Sequence, residues 1–204
     1  VFDAYKALRR RGLNIDVLPA STHDLSTYKL VLAPGLATIP SELEEALNTT
    51  TAVLGPRSNA VTEELTIPTP MGPNLAGLDV TVTRVESLPP EQKRHVKGGG
   101  SAHHWTEHLE GTAEPLLTYQ DGSPFMVRTG IMSYIGGWAD AALWDRVLEI
   151  AAAQAGIDLL QLPDGLRIRD TSNLRFYINY GLEPAEFDDV SVQAADVVWR
   201  EKHL

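Results

Sequence analysis

The stretch His104-Trp105-Thr106-Glu107-His108 spells H-x-x-E-H, the inverted zinc-peptidase pattern. That chemistry needs both histidines one turn apart on a stable helix and the glutamate as general base beside a metal-bound water. A third protein ligand must come from elsewhere. Gly98-Gly99-Gly100 precedes the segment and Gly111 follows it. The segment is therefore expected to form a helix of roughly ten residues, about the shortest usually seen. Downstream there is no obvious third-ligand helix, because the one long helix offers only Glu149 among its first candidates. The competing reading has Trp105 and Leu109 anchoring that short helix with the histidines on its polar side. It expects no metal, and a five-letter motif has a high false-positive rate.

Ser58 in "AVLGPRSNA" follows a strand, where an α/β hydrolase would mount a nucleophile. The pattern is not G-x-S-x-G, Pro56 constrains a sharp elbow, and no Asp-His pair can be tied to Ser58. A tight loop after a buried strand is the plainer expectation. The glycine run lacks G-x-G-x-x-G spacing and G-x-x-x-x-G-K-[ST] is absent, so no cofactor is expected. Glu42, Glu44, Glu45, Glu63 and Glu64 fall on capping and polar positions, as a solvated face would place them. Trp105, Trp138 and Trp144 lie near expected helices, where core packing is commoner than the sugar stacking of a carbohydrate-binding module.

The elements that would position these residues follow from periodicity. "VFDAYKALRRRG" places Val1, Ala4, Tyr5 and Leu8 on one helical face, with Gly12 as stop. "LNIDVLP" alternates like a strand, and "YKLVLAPG" reads as a strand buried on both faces. Ser41 with Glu44 offers a capping box, and "TAVLGP" is a further strand ended by a breaker. Residues 66 to 77 carry prolines and glycines and should be irregular. "LDVTVTRVE" returns to strand alternation through Val80, Val82 and Val85. Asp121-Gly122 in "EPLLTYQDGSPFMVRTG" marks a hairpin, and "SYIGGW" adds a short strand. The clearest helix has Asp140 as cap, Trp144, Val147, Leu148, Ala151 and Ala155 as its buried stripe, and Gly156 as its end. After about residue 158 short alternating runs indicate a small antiparallel β module. The order points to a layered α/β domain with a largely parallel sheet. Such domains normally open on a strand, whereas this chain opens in a helical pattern without Met, so a cut chain is expected.

The chain has 204 residues, a net charge of -10 and no cysteine. Its acidity argues against nucleic acid and anionic lipid as partners. Arg9-Arg10-Arg11 fits the C-terminal end of a helix dipole. Without cysteine there are no disulfides, cysteine zinc sites or cysteine nucleophile. No run is long enough to span a bilayer. The residues by themselves give an acidic α/β domain with a β tail and no convincing catalytic site.

In order along nearly the whole chain, "YKALRRRGLNIDVLP", "YKLVLAPGL", "AVLGPRS", "TEELTIPTPMGPN", the glycine run before "HHWTEHLEG", "LLTYQDGSP", "YIGGW", "LPDGLRIR" and "FYINYG" resemble the C-terminal part of a glycoside hydrolase family 42 β-galactosidase. The resemblance implies a class I glutamine amidotransferase-like (flavodoxin-like) layered domain with a mostly parallel sheet over residues 1–157, its first strand missing, which assists trimer formation. A small antiparallel β domain would occupy residues 158–204. Hydrolysis of terminal β-galactosides with retention would belong to a (β/α)8 barrel upstream of Val1, so no catalytic, cofactor or metal residue is carried over. The fold likeness does not bring amidotransfer, since the cysteine it needs is absent. Asn59 stands where glycine is expected in relatives, and Asn tolerates the left-handed backbone. The expectation is a homotrimer, cytoplasmic, whose galactoside substrate binds the absent barrel, with "HHWTEH" structural.

Overall fold

Three helices and fourteen strands form in the computed structural model, which describes residues 2–202. The chain divides into two compact units, Leu18–Ile157 and a second made of Phe2–Val17 with Asp158 onward.

In the first unit, short apolar runs build a five-stranded sheet in the order β1 (Leu30–Ala33), β2 (Thr51–Leu54), β8 (Met132–Ile135), β7 (Pro124–Thr129), β6 (Glu114–Thr118). The pairs β1·β2 and β2·β8 are parallel, whereas β8·β7 and β7·β6 are antiparallel. The expected mostly parallel sheet is thus a mixed one. The physical reason is the Asp121-Gly122 reversal, which lets β6 and β7 add by direct hairpin pairing instead of by crossover. At the sheet edge β1 is half-buried along its length, so its continuous apolar run does not reflect cover on both faces.

The second sheet is antiparallel: β5 (Ser101–Glu110) pairs with β3 (Thr81–Ser87), β4 (Lys93–His95) and β9 (Gly137–Ala139). The short helix expected between Gly100 and Gly111 is therefore a strand. Gly98, Gly99 and Gly100 turn the chain at positive φ into β5, and both flanks of β5 satisfy its backbone. β-sheet pairing on both sides outweighs a short isolated helix, which lacks cooperative length. The polypeptide passes from β8 in one sheet to β9 in the other across Gly136. This glycine's N–H donates to the Phe125 carbonyl at 2.7 Å and its carbonyl accepts from Glu107 N–H at 2.8 Å.

Helix α2 (Ser41–Leu47) begins at Pro40 without a side-chain cap. The expected capping box does not form, because Ser41 Oγ donates to Glu42 and Glu44 Oε1 accepts from Ala76 N–H at 2.7 Å. Helix α3 (Ala141–Ala155) forms with Leu143, Trp144, Val147, Leu148, Ala151 and Ala152 buried, Ala155 of the expected stripe only half-buried, and Gly156 left-handed at φ 61°. Asp140 Oδ1 accepts from Leu143 N–H, and Oδ2 accepts from Ser101 N–H and Oγ, tying α3 to β5. The core includes Leu43, Leu47, Ala52, Leu54, Val82, Leu109, Met132 and Tyr134.

In the second unit α1 (Phe2–Arg10) buries Ala4 and Ala7. Tyr5, expected on that face, is 40% exposed and stacks on Phe2. Val1 lies outside the described residues. Residues 13–17 form no strand, contrary to their alternation. Asn14 instead exchanges side-chain hydrogen bonds with the backbone of Asp170, which holds the segment without a ladder. The tail is antiparallel as expected. It comprises β10 (Leu166–Asp170), β11 (Leu174–Asn179) and β14 (Val197–Glu201), plus the hairpin β12 (Ala185–Phe187) and β13 (Val190–Val192). Leu166, Ile168, Tyr177, Val190 and Val192 form its core. Among the described residues, no helix is long and apolar enough to cross a membrane.

Candidate functional site

On β5 successive side chains alternate between faces, so the H-x-x-E-H residues cannot converge as they would on a helix. His104 sits at φ 62° in an irregularity of the β5·β9 pairing and is exposed. Glu107 points inward and is only 3% exposed. His108 lies at the other edge of the strand, its Nε2 3.1 Å from Glu86 Oε1. Burial first, and then the guanidinium groups of Arg84 and Arg94, hold the His108 imidazole below its ordinary pKa. Among the described residues no group of three or more His, Cys, Asp or Glu side chains is placed to hold a metal. The alternative reading of a zinc site at His104, Glu107 and His108 thus finds no support in the geometry: the letters are present, but the strand disperses them.

Glu107 instead anchors a buried polar network. Its Oε1 accepts from the backbone N–H of Arg57 at 2.9 Å and from the indole N–H of Trp105 at 3.0 Å. Its Oε2 accepts from the Tyr134 hydroxyl at 2.7 Å. Burial, and next the neighbouring Glu107 charge, push the Tyr134 phenol well above its usual value, so it stays a neutral donor. The carboxylate fastens the loop that follows β2, where Arg57 at φ 62° and Asn59 at φ 50° both adopt left-handed backbone. Asn59 accommodates this by accepting from Ile39 N–H and donating to the Pro73 carbonyl. Arg57, with a full side chain in that region, needs its surroundings to hold it there.

Ser58 lies within the same loop and is 1% exposed. Its Oγ donates to the Ala33 carbonyl and accepts from Gly55 N–H, both at 2.8 Å. The hydroxyl is thus committed to closing the loop, and no imidazole lines the adjoining cavity to activate it. That cavity, of about 140 Å³, is lined by Val61, Ile67, Met71, Val82 and Val85, with Glu107 and Tyr134 among its polar groups. The Arg57 guanidinium lies 5.1 Å from the Trp105 ring centroid beside it. The site has a rigid frame, one fully engaged carboxylate and an apolar hollow. It offers packing and a cation, and no pair of free carboxylates for acid–base work.

The remaining candidates separate. Trp144 is in the core, Trp105 and Trp138 are half-buried on strands, and Trp199 is 60% exposed on β14. Glu42, Glu45, Glu63 and Glu64 face solvent, as expected. The Arg57–Glu107–Tyr134 network was not found from sequence. Its one signal was the "GPRSN" loop: Glu107 lies 50 positions after Arg57, and Tyr134 a further 27 after Glu107.

Comparison with known proteins bears on all of this. A family model described as the β-galactosidase trimerisation domain matches residues 1–158. A β-galactosidase of Thermus thermophilus is 39% identical over 193 residues, which cover 91% of this chain and 30% of that protein. The β-galactosidase Bga of Halorubrum lacusprofundi is 32% identical over 197 residues, covering 80% and 28% respectively. Among solved structures, the β-galactosidase of psychrophilic Marinomonas ef1 superposes with a TM-score of 0.93 at 30% identity over 99% of this chain and 33% of its own. The Halorubrum lacusprofundi β-galactosidase gives 0.87 at 27% identity, over 98% and 35%. The chain thus spans about a third of the length of the relatives it matches.

Proposed function

This chain belongs to the family of β-galactosidase trimerisation domains, and from that we propose that it is the assembly region of a homotrimeric β-galactosidase. The observation that carries the reading is the joint match, in sequence and in fold, to one segment of longer β-galactosidases. Hydrolysis of terminal β-galactosides with retention would be carried by a barrel outside this chain. Retention requires two carboxyl groups about 5 Å apart across the scissile bond. The one buried carboxylate of the cavity described above is already hydrogen-bonded by Arg57, Trp105 and Tyr134.

An amidotransferase-like layering of the larger unit is part of the proposal. The parallel run β1·β2·β8 and the packing of α3 on β1 and β2 support it. A division into an assembly domain over 1–157 and a β domain over 158–204 is supported by the end of the family match at residue 158. Cytoplasmic location of the parent belongs to the same reading and is checked by cell fractionation.

The test is light scattering behind size exclusion on the 204-residue chain over a range of concentrations. A mass of three times 22.3 kDa is expected, with no turnover of an aryl β-galactoside. A monomer at every concentration, or good turnover, overturns the proposal.

A further inference from the structure

The exposed apolar side chains of the larger unit are unevenly spread. Ile67 is 70% and Val85 40% exposed, and both line the mouth of the cavity beside Trp105. Leu65, 77% exposed, lies in the Thr62–Thr66 turn two residues before Ile67. Solvated loops do not usually present such residues together, and clustered apolar exposure around a hollow marks a docking face.

The face is also stiff. Thr62 N–H donates to the Thr66 carbonyl, Leu65 N–H donates to the Thr62 carbonyl, and the two threonine hydroxyls bond to each other. Beneath it, Glu107 pins Arg57 and Trp105. Little ordering would remain to be done on binding, which is what favours affinity for a given area.

Charge indicates the occupant. Arg57 is exposed, rests over the Trp105 ring, and among the described residues has no carboxylate within ion-pair distance. Arginine and tryptophan, which line this cavity together with apolar residues, are among the residue types that dominate protein interfaces. A second copy of this chain brings 27 Asp and Glu against 17 Lys and Arg, so carboxylates are the more numerous charged groups it can offer to Arg57.

We propose that this face, formed by Arg57, Ile67, Val85 and Trp105 around the cavity with Leu65 two residues before Ile67, is where a neighbouring copy of the chain docks in the oligomer, with an apolar side chain in the hollow and a carboxylate on Arg57. The inference rests on the assembly reading above and adds the surface that performs it. A closed ring of three is heterologous, so each copy uses this face once and offers a different surface to the next.

The experiment compares the full chain with its Ile67→Glu and Val85→Glu variants, and with Ile131→Glu as a control at a site 41% exposed elsewhere in the same unit. Circular dichroism melting verifies that each is folded. Light scattering over a dilution series then reads the concentration at which the trimer dissociates. Each of the two face variants should raise that concentration by roughly 10- to 100-fold, the range for loss of an interface anchor, while Ile131→Glu leaves it unchanged. A trimeric wild type whose face variants stay equally trimeric overturns the proposal and leaves the face to another part of the polypeptide or to a different protein. A wild type that is monomeric throughout overturns the assembly reading itself and this inference with it, and the two failures are told apart by the wild-type mass alone.

Discussion

Glu107 is the buried carboxylate that joins the loop after β2 to β5 and β8. Three donors converge on its two oxygens, and a buried carboxylate without a cation depends on all of them. In Glu107→Gln one oxygen becomes an amide nitrogen, so at least one of those N–H or O–H groups faces a donor. A loss of about 2–4 kcal/mol is expected in urea unfolding, against about 1–2 kcal/mol for Tyr134→Phe, which removes one hydrogen bond and leaves the other two. Equal losses in the two variants would show that Glu107 serves Tyr134 alone. Combining the substitutions should cost less than the sum, because both act on one network. The histidines that make the sequence look catalytic carry little of this. His104 faces solvent at a strand irregularity, and the His108 ring is hydrogen-bonded to Glu86.

Elements were legible where a pattern and a terminator agreed. Helix α3 was readable from its apolar stripe, from Asp140 and from Gly156, and the cap is made by the residue that advertised it. Asp140→Ala should cost about 2–3 kcal/mol, more than a simple cap, since the carboxylate also holds Ser101 N–H and Oγ at the start of β5. Thermal unfolding measures this, and Ser101→Ala should recover only the smaller, hydroxyl part. The β6–β7 hairpin was legible from Asp121-Gly122 for the same reason of local chemistry. Strand β5 was misread because its letters match a helical motif, while the cause of its conformation is pairing with β3, β4 and β9, distant along the chain. Residues 13–17 failed in the opposite direction, having strand alternation without a partner strand. In the smaller unit, Arg175 reaches both oxygens of Asp170 across the β10·β11 pair at 2.8 and 2.9 Å. Those hydrogen bonds hold the Asp170 carboxyl below its ordinary 3.8. On acidification the unfolded chain takes up this proton first. The stabilisation is therefore complete above the unfolded value and is lost as pH falls through the lower folded one. The stability gap between wild type and Asp170→Asn should close as the pH is taken below 3.8 in urea titrations, and a gap that persists there would rule out this linkage.

For the whole molecule, assembly binds the folded state and not the unfolded one, so melting should depend on protein concentration. Calorimetry over about a 100-fold dilution is expected to lower the melting temperature of the wild type, and to do so far less for Ile67→Glu if that variant is already dissociated. What remained invisible in the sequence at this scale was the gathering of residues from separated segments. Ile67, Val85, Trp105 and Arg57 are each unremarkable in the chain and become one surface only when the loop after β2, the 62–66 turn, β3 and β5 meet. The passage between the two sheets has a different kind of consequence. Only Gly136 separates β8 from β9, and a Cβ there would lie 3.0 Å from the Glu107 carbonyl. Because side chains alternate every second residue, adding one residue at this junction would turn β9 over and set its outward groups against β5. Across natural variants of this chain, length should therefore be free to drift in the irregular segment after β2 and be frozen between Ile135 and Gly137, so that insertions and deletions in a sequence collection would map the seam between the sheets without any structure being solved.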